Sequence, residues 1–315
     1  MYKIKQVPED FYVRELIKLD IKKYGNHKCY LLIKRSYTTL NAVRLISEIS
    51  NIKLRDFGYA GNKDKYAITE QFISVKNNKN LENIKIKDIE IKFLGYLDKR
   101  INLGDNLGNY FKIVVRNLDR KYKKINSMVN YFDEQRFSKN NVLIGKLLLQ
   151  RKFKEICEIL NLDTKNTINS LNTVNKKILS LYMHSYQSFL FNKAVAIYLK
   201  NKYKNYFAVK YSLDEFIFIK DFEKLEFPLI SFDAKLNKIY SKILRDEEVS
   251  LKQFIIREFP GLIEETTFRK VFVKVKDFKT LNYDKDELNQ GKFKQKVSFI
   301  LPKGSYATIL VKQMF

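Results

Sequence analysis

The chain has little of the material from which most catalytic and covalent devices are built. Its 315 residues include two cysteines, two histidines and no tryptophan. Cys29 and Cys157 are too few and too far apart for a disulfide framework or a thiolate zinc site. His27 and His184 have no ligand spacing between them, which argues against a histidine-based triad or a His/Cys metal centre. No dinucleotide-binding glycine fingerprint or phosphate-binding P-loop is present, and there is no internal repeat or low-complexity tail. The opening Met1-Tyr2-Lys3-Ile4-Lys5-Gln6 lacks the apolar core of a signal peptide, and no apolar run approaches a membrane span. These absences predict a cytoplasmic protein with no metal, no cofactor and no membrane partner.

What the chain does have is positive charge. Lysine and arginine number 60 against 35 aspartate and glutamate, a formal charge of +25, on a chain that is 45% apolar. That apolar content supports a folded core, in one large domain or two ordinary ones. Nothing in folding calls for the charge excess, and a field of that size concentrates polyanions, of which nucleic acid is the commonest. Abundant Lys, Ile and Asn without Trp also suggest an AT-rich genome as a contributor to the lysine count. The basic residues are scattered along the chain, with no basic amphipathic helix carrying an aromatic face, so a membrane surface is the weaker reading.

Local patterns divide the chain into a strand-rich frame and a helical middle. Pro8 disfavours a helical Val7, and Phe11 and Val13 alternate with polar neighbours as in a strand. Cys29 to Ile33 reads as a buried strand. Thr38 or Thr39 then caps a helix with Leu40, Val43, Ile46 and Ile49 on its apolar face. Lys76 to Asn83 is a polar loop, Ile84 to Phe93 alternates, and Asp98 to Gly104 is a basic turn before a strand over Tyr110–Val115. Ile125, Met128, Val129 and Phe132 lie at helical spacing, which by itself makes Phe132 a core residue. Helices are predicted through Leu147, Phe153, Ile156 and Leu160, over about Lys176 to Lys200, and over Asp246 to Glu258 before Pro260-Gly261. Phe207 to Ile219 reads as β-rich. Arg269 to Phe278 alternates with Val271, Val273 and Val275 inward, and Phe293 to Leu301 gives a last strand.

The stretch Phe57 to Val75 carries the chemistry. Gly58 and Gly61 bracket a short apolar run, an Asn62-Lys63-Asp64-Lys65 turn follows, and the β-prone Phe72, Ile73 and Val75 close it. Two neighbouring ammonium groups favour an ionised Asp64, and an ionised carboxylate on a loop between rigid elements is a candidate nucleophile or base. On composition alone the same four residues describe an ordinary solvated turn. However, Gly61-Asn62-Lys63-Asp64-Lys65-Tyr66-Ala67-Ile68-Thr69-Glu70-Gln71 resembles the signature Gly-x-Lys-Asp-x-x-Ala-x-Thr-x-Gln of the tRNA pseudouridine synthase D (TruD) family. Six specified positions in eleven make this a specific match.

Further motifs occur in the family's order. Lys5 followed by Pro8-Glu9-Asp10-Phe11-Tyr12-Val13-Arg14-Glu15 is similar to its opening motif. Asn130-Tyr131-Phe132-Asp133-Glu134-Gln135-Arg136-Phe137 resembles Asn-Tyr-Phe-Gly-x-Gln-Arg-Phe-Gly, with Asp133 and Ser138 standing where glycine is usual. Ser185 to Asn192 resembles a segment read here as architectural. Leu301-Pro302-Lys303-Gly304-Ser305-Tyr306-Ala307-Thr308 resembles the terminal motif, with Lys312 and Gln313 in place of a closing Arg-Glu.

The resemblance implies an α+β fold, a pseudouridine synthase core with a mostly antiparallel sheet flanked by helices. It further implies a discontinuous catalytic domain over 1–145 and 265–315 and a helix-rich insertion over 146–264. It implies isomerisation of a tRNA uridine, usually that at position 13, by a monomer without a cofactor. Asp64 would be the catalytic residue. Phe132 would stack on the uracil, Asn130 would make a polar contact in the active site, and Lys5 would point into the cleft. Lys5 or Lys63 would be the basic partner of Asp64. Two other classes stand beside this one: a non-catalytic RNA-binding module, and a metal-dependent nuclease, which would need several clustered acids where this motif has one.

Overall fold

In a computed structural model, which describes residues 2–76, 79–137, 140–220 and 222–315, the alternation of Phe11 and Val13 becomes the inner face of the first strand. Along the chain run β1 (Phe11–Leu16), β2 (His27–Arg35), α1 (Thr39–Ser50), β3 (Phe57–Tyr59), β4 (Ile68–Val75), β5 (Ile89–Leu97) and β6 (Gly108–Leu118). The middle of the chain holds β7 (Ser127–Val129), α2 (Asn141–Leu149), α3 (Phe153–Ile159), α4 (Thr167–Asn172), α5 (Lys176–Lys202), β8 (Phe207–Lys210), β9 (Glu215–Phe218), β10 (Glu226–Leu229) and α6 (Lys238–Asp246). The last part adds β11 (Thr267–Lys270), β12 (Phe272–Lys274), β13 (Lys276–Lys285), β14 (Phe293–Pro302) and α7 (Ala307–Met314). Two compact units result. One comprises Met1–Asn126, Lys274–Ala307 and Met314–Phe315, the other Ser127–Val273 and Thr308–Gln313.

The first unit is an eight-stranded sheet in the order β13-β14-β6-β1-β4-β2-β5, with β3 paired to β4. Only β1 and β4 run parallel; the other pairings are antiparallel. The fold is thus α+β with a mainly antiparallel sheet. Thr38 caps α1 by accepting the Asn41 N–H. The helix buries Ala42, Val43 and Ile46 against Tyr30, Leu32, Ile73 and Val75 of the sheet. The buried stripe is therefore rotated from the one expected: Leu40 and Ile49 are exposed, and Thr39 and Ala42 face inward. Thr39 turns inward because its hydroxyl bonds to Gln71 and to the Lys63 N–H. Gly58 in β3 is also dictated by close approach, since a Cβ there would lie 2.4 Å from the Ile101 carbonyl oxygen.

A buried charge cluster ties the N-terminal segment to this sheet. Val7 is extended ahead of Pro8, and Pro8–Asp10 makes a single 3-10 turn. The Asp10 carboxylate accepts the Gln6 and Val7 N–H groups, and both its oxygens accept Arg116 Nε–H at 2.9 Å. Arg116 also donates to Asp286 at 2.8 Å. Burial would raise the Asp286 carboxyl, yet donors from Asn117, Asn289, Leu288 and Arg116 hold it down at about 2. Each buried acid is thereby matched by donors.

The second unit is organised around α5. Helix α2 lies so close to it that a Cβ on Gly145 would sit 2.3 Å from the Tyr182 carbonyl oxygen. Hairpins β8–β9 and β10–β11 and the short pair β7–β12 complete the unit. Three expectations fail here. The helix expected through Leu147 to Leu160 is two, α2 and α3, because Arg151 between them adopts φ 56°. The helix expected over Asp246 to Glu258 occupies Lys238–Asp246 instead; Glu248 at φ 55° ends it, and one 3-10 turn at Leu251–Phe254 follows. The strand expected over Arg269 to Phe278 divides into β11, β12 and the start of β13. Val271 and Val275 give their N–H groups to Leu225 and Asn126 respectively, so the ladder changes partner twice, while Val271, Val273 and Val275 are buried as the alternation required. Cys29 and Cys157 are free and buried. No helix among the described residues is long and apolar enough to cross a membrane.

Candidate active site

Asp64 lies on the loop between β3 and β4, and that loop is held by its backbone. Three buried polar side chains from three elements do this. Gln71 of β4 donates its amide to the Gly61 carbonyl at 3.2 Å. The Thr39 hydroxyl, at the start of α1, accepts the Lys63 N–H at 2.8 Å and donates to Gln71 Oε1 at 2.8 Å. Lys34, from β2, donates its ammonium to the Asp64 carbonyl at 3.2 Å and to the Tyr37 carbonyl. Loop residues 61 to 64 are thus pinned at three points, which limits the rotamers from which the carboxylate can act.

The Asp64 carboxylate meets Lys5, with Nζ 2.6 Å from Oδ2, and its side chain remains 38% exposed. Lys5 reaches it from a left-handed backbone at φ 56°, a conformation that costs a non-glycine residue of order 1 kcal/mol. The Asp10 turn and Asn289, which donates to Gln6 Oε1 at 2.7 Å, hold the segment in that shape. The Lys5 ammonium also sits 4.2 Å from the centroid of the Phe11 ring. Lys63, the other expected partner, points elsewhere. Its ammonium lies 2.5 Å from Glu15, in a pair that is almost wholly buried, and Glu15 also accepts the Phe72 N–H. Of the two lysines, Lys5 is the one placed on Asp64.

Asn130 and Phe132 belong to the second unit. They do not form the helix suggested by the spacing of Ile125 to Phe132. Asn130 gives its N–H to the Val271 carbonyl at 2.7 Å and its amide to the Lys270 carbonyl, bonds that hold the chain extended past β7. Asn192 of α5 accepts the Phe132 N–H at 3.0 Å and donates back to the Phe132 carbonyl at 2.9 Å. The Phe132 ring meets Phe191 edge-on, and the Arg269 guanidinium lies 4.0 Å from its centroid. Arg269 is fixed there by donating to the backbone and side-chain oxygens of Asn130, each at 3.0 Å. Asp133 accepts from the Thr308 hydroxyl at 2.8 Å and lies 3.6 Å from Lys312, which also pairs with Glu134. The carboxylate that replaces glycine is thus matched by the lysine that replaces arginine. Ser138 lies outside the described residues.

Lys34, Thr39 and Arg269 took no part in the sequence reading of the site. Lys34 was visible in the pattern: Tyr30, Leu32 and Lys34 alternate on the inner face of β2, so a lysine occupies a core position. Glu15 follows Phe11 and Val13 in the same way on β1. Arg269 left no such mark, because its place over Phe132 depends on a pairing distant in sequence. Among the described residues no three His, Cys, Asp or Glu side chains gather as a metal site.

Comparison with known proteins adds four likenesses. Residues 2–162 and 228–314 match the family model described as tRNA pseudouridine synthase D (TruD). The chain is 30% identical to the tRNA pseudouridine synthase D of Aquifex aeolicus, over 99% of this chain and 98% of that one. It is 27% identical to the protein of the same name from Leptospira interrogans, over 100% and 96%. In fold it resembles the crystal structure of a TruD protein from Methanosarcina mazei, with a TM-score of 0.70 at 23% identity, covering 99% of this chain and 93% of that one.

Proposed function

The chain belongs to the tRNA pseudouridine synthase D (TruD) family, and from that membership we propose that it isomerises a tRNA uridine, that at position 13, with Asp64 as the reacting carboxylate. The reaction breaks the N1–C1′ bond, turns the freed uracil and joins C5 to C1′. N1 gains a proton and C5 loses one, so substrate and product are isomers, and neither a redox partner nor a group donor is required. The carboxylate acts either by attack on C1′ or by removing the C2′ proton. Both routes need it ionised and aimed.

The observation that supports this assignment is the Lys5–Asp64 pair on a loop pinned by its own backbone. Lys5 holds the carboxylate in a direct ion pair, and the half-open side chain leaves it accessible to a sugar. Lys63 contributes by holding the loop through Glu15. Phe132 offers a ring on which an extruded uracil stacks, and Asn130, whose oxygens accept from Arg269, holds that guanidinium at the ring. Residues 146–264 act as the insertion that helps select the tRNA, on a catalytic domain formed by 1–145 and 265–315. The protein works as a monomer in the cytoplasm.

The test is tritium release from tRNA carrying uridine labelled at C5, measured beside tRNA binding. Asp64→Ala should abolish release and leave binding within about twofold. Residual turnover with lost binding would show that the carboxylate serves affinity rather than chemistry.

A further inference from the structure

Lys34 is the last of three inward-facing residues on β2, and it is as buried as Tyr30 and Leu32 before it. Among the described residues no carboxylate forms an ion pair with it. An apolar side chain of similar length would fill the same space without the penalty of burying an ammonium. That penalty is evident in the hold of Lys34 on its proton: burial pulls it down to about 8, Asp64 opposes the change and Lys63 adds to it. Packing therefore gives no reason for a lysine here.

The ammonium brings N–H donors that an apolar chain lacks. One goes to the Tyr37 carbonyl in the turn between β2 and α1, the other to the main-chain carbonyl of Asp64. Thr39 and Gln71 hold the loop at Lys63 and Gly61, one and three residues earlier. Of these three side chains, Lys34 is the one that bonds to the residue whose carboxylate meets Lys5. We propose that Lys34 is a positioning residue for the isomerisation: by anchoring the Asp64 carbonyl it sets the direction in which the Asp64 carboxylate is presented. The proposal rests on the assignment of Asp64 as the reacting group.

The experiment compares Lys34→Met with Asp64→Ala in the full chain on unmodified tRNA. It reads kcat, KM and thermal midpoint. Lys34→Met should lower kcat at least tenfold, as expected when a reacting group loses its aim, with KM within twofold and a midpoint no more than a few degrees below wild type. If Lys34→Met does not fold, Lys34→Leu, which also lacks a donor, replaces it in the same comparison. A kcat within twofold of wild type, while Asp64→Ala is inactive, overturns the role of Lys34 and leaves Asp64 in place. A drop confined to KM overturns it equally. An active Asp64→Ala removes the underlying assignment, and this inference falls with it.

Discussion

Phe132 carries two demands that a substitution can separate. Its ring is buried edge-on against Phe191, which is ordinary core packing, and its face lies under a guanidinium. A flat face is what a detached uracil needs, and base–aromatic stacking contributes about 1–3 kcal/mol. Leucine keeps the apolar contact with Phe191 but has no face. Phe132→Leu is therefore expected to lower kcat/KM by roughly 5- to 150-fold, the equivalent of that stacking energy. Its stability loss should be only about 1 kcal/mol, typical of a conservative core change. Kinetics on tRNA beside a thermal melt would decide. A collapse in melting temperature with normal specific activity would leave Phe132 a packing residue only.

At the scale of elements, local pattern was a reliable guide wherever the partner was also local or the face was simple. The alternation of Phe11 and Val13, the capped start of α1 and the long run of α5 all stand in the structure. The pattern failed where distant pairings intervene. Met128 and Val129 follow helical spacing, yet β7 is pinned by Gln313, whose side chain accepts the Val129 N–H at 2.9 Å. The inward Lys34 and Glu15 were legible as charges on an apolar period, but which backbone groups they hold depends on the path of the 61–64 loop. Gly145 shows the same limit: nothing nearby in sequence requires glycine, and the reason is the approach of α5. Gly145→Ala would place a methyl against backbone that cannot yield cheaply, so it should cost about 1–3 kcal/mol of stability. Denaturant melts should show that loss, while single-turnover isomerisation by the folded fraction stays at the wild-type rate. A slower chemical step would mean that the α2–α5 packing reaches the reacting groups.

Across the whole molecule the charge balance separates capture from chemistry. A net +25 acts at long range and is screened by salt, whereas the Lys5–Asp64 pair works at 2.6 Å, well inside a Debye length of about 8–10 Å. Binding a polyanion displaces condensed counterions, so the logarithm of affinity falls linearly with the logarithm of salt concentration. An interface touching about six phosphates loses roughly 10³ in affinity between about 50 and 200 mM salt. We expect that loss for tRNA in fluorescence-anisotropy titrations. Over the same range kcat at saturating tRNA should change by less than about twofold, because screening does not reach a pair in contact. An affinity indifferent to salt would assign the excess lysine to solubility rather than substrate capture. A kcat that falls in step with affinity would mean that the long-range field also sets the geometry at Asp64.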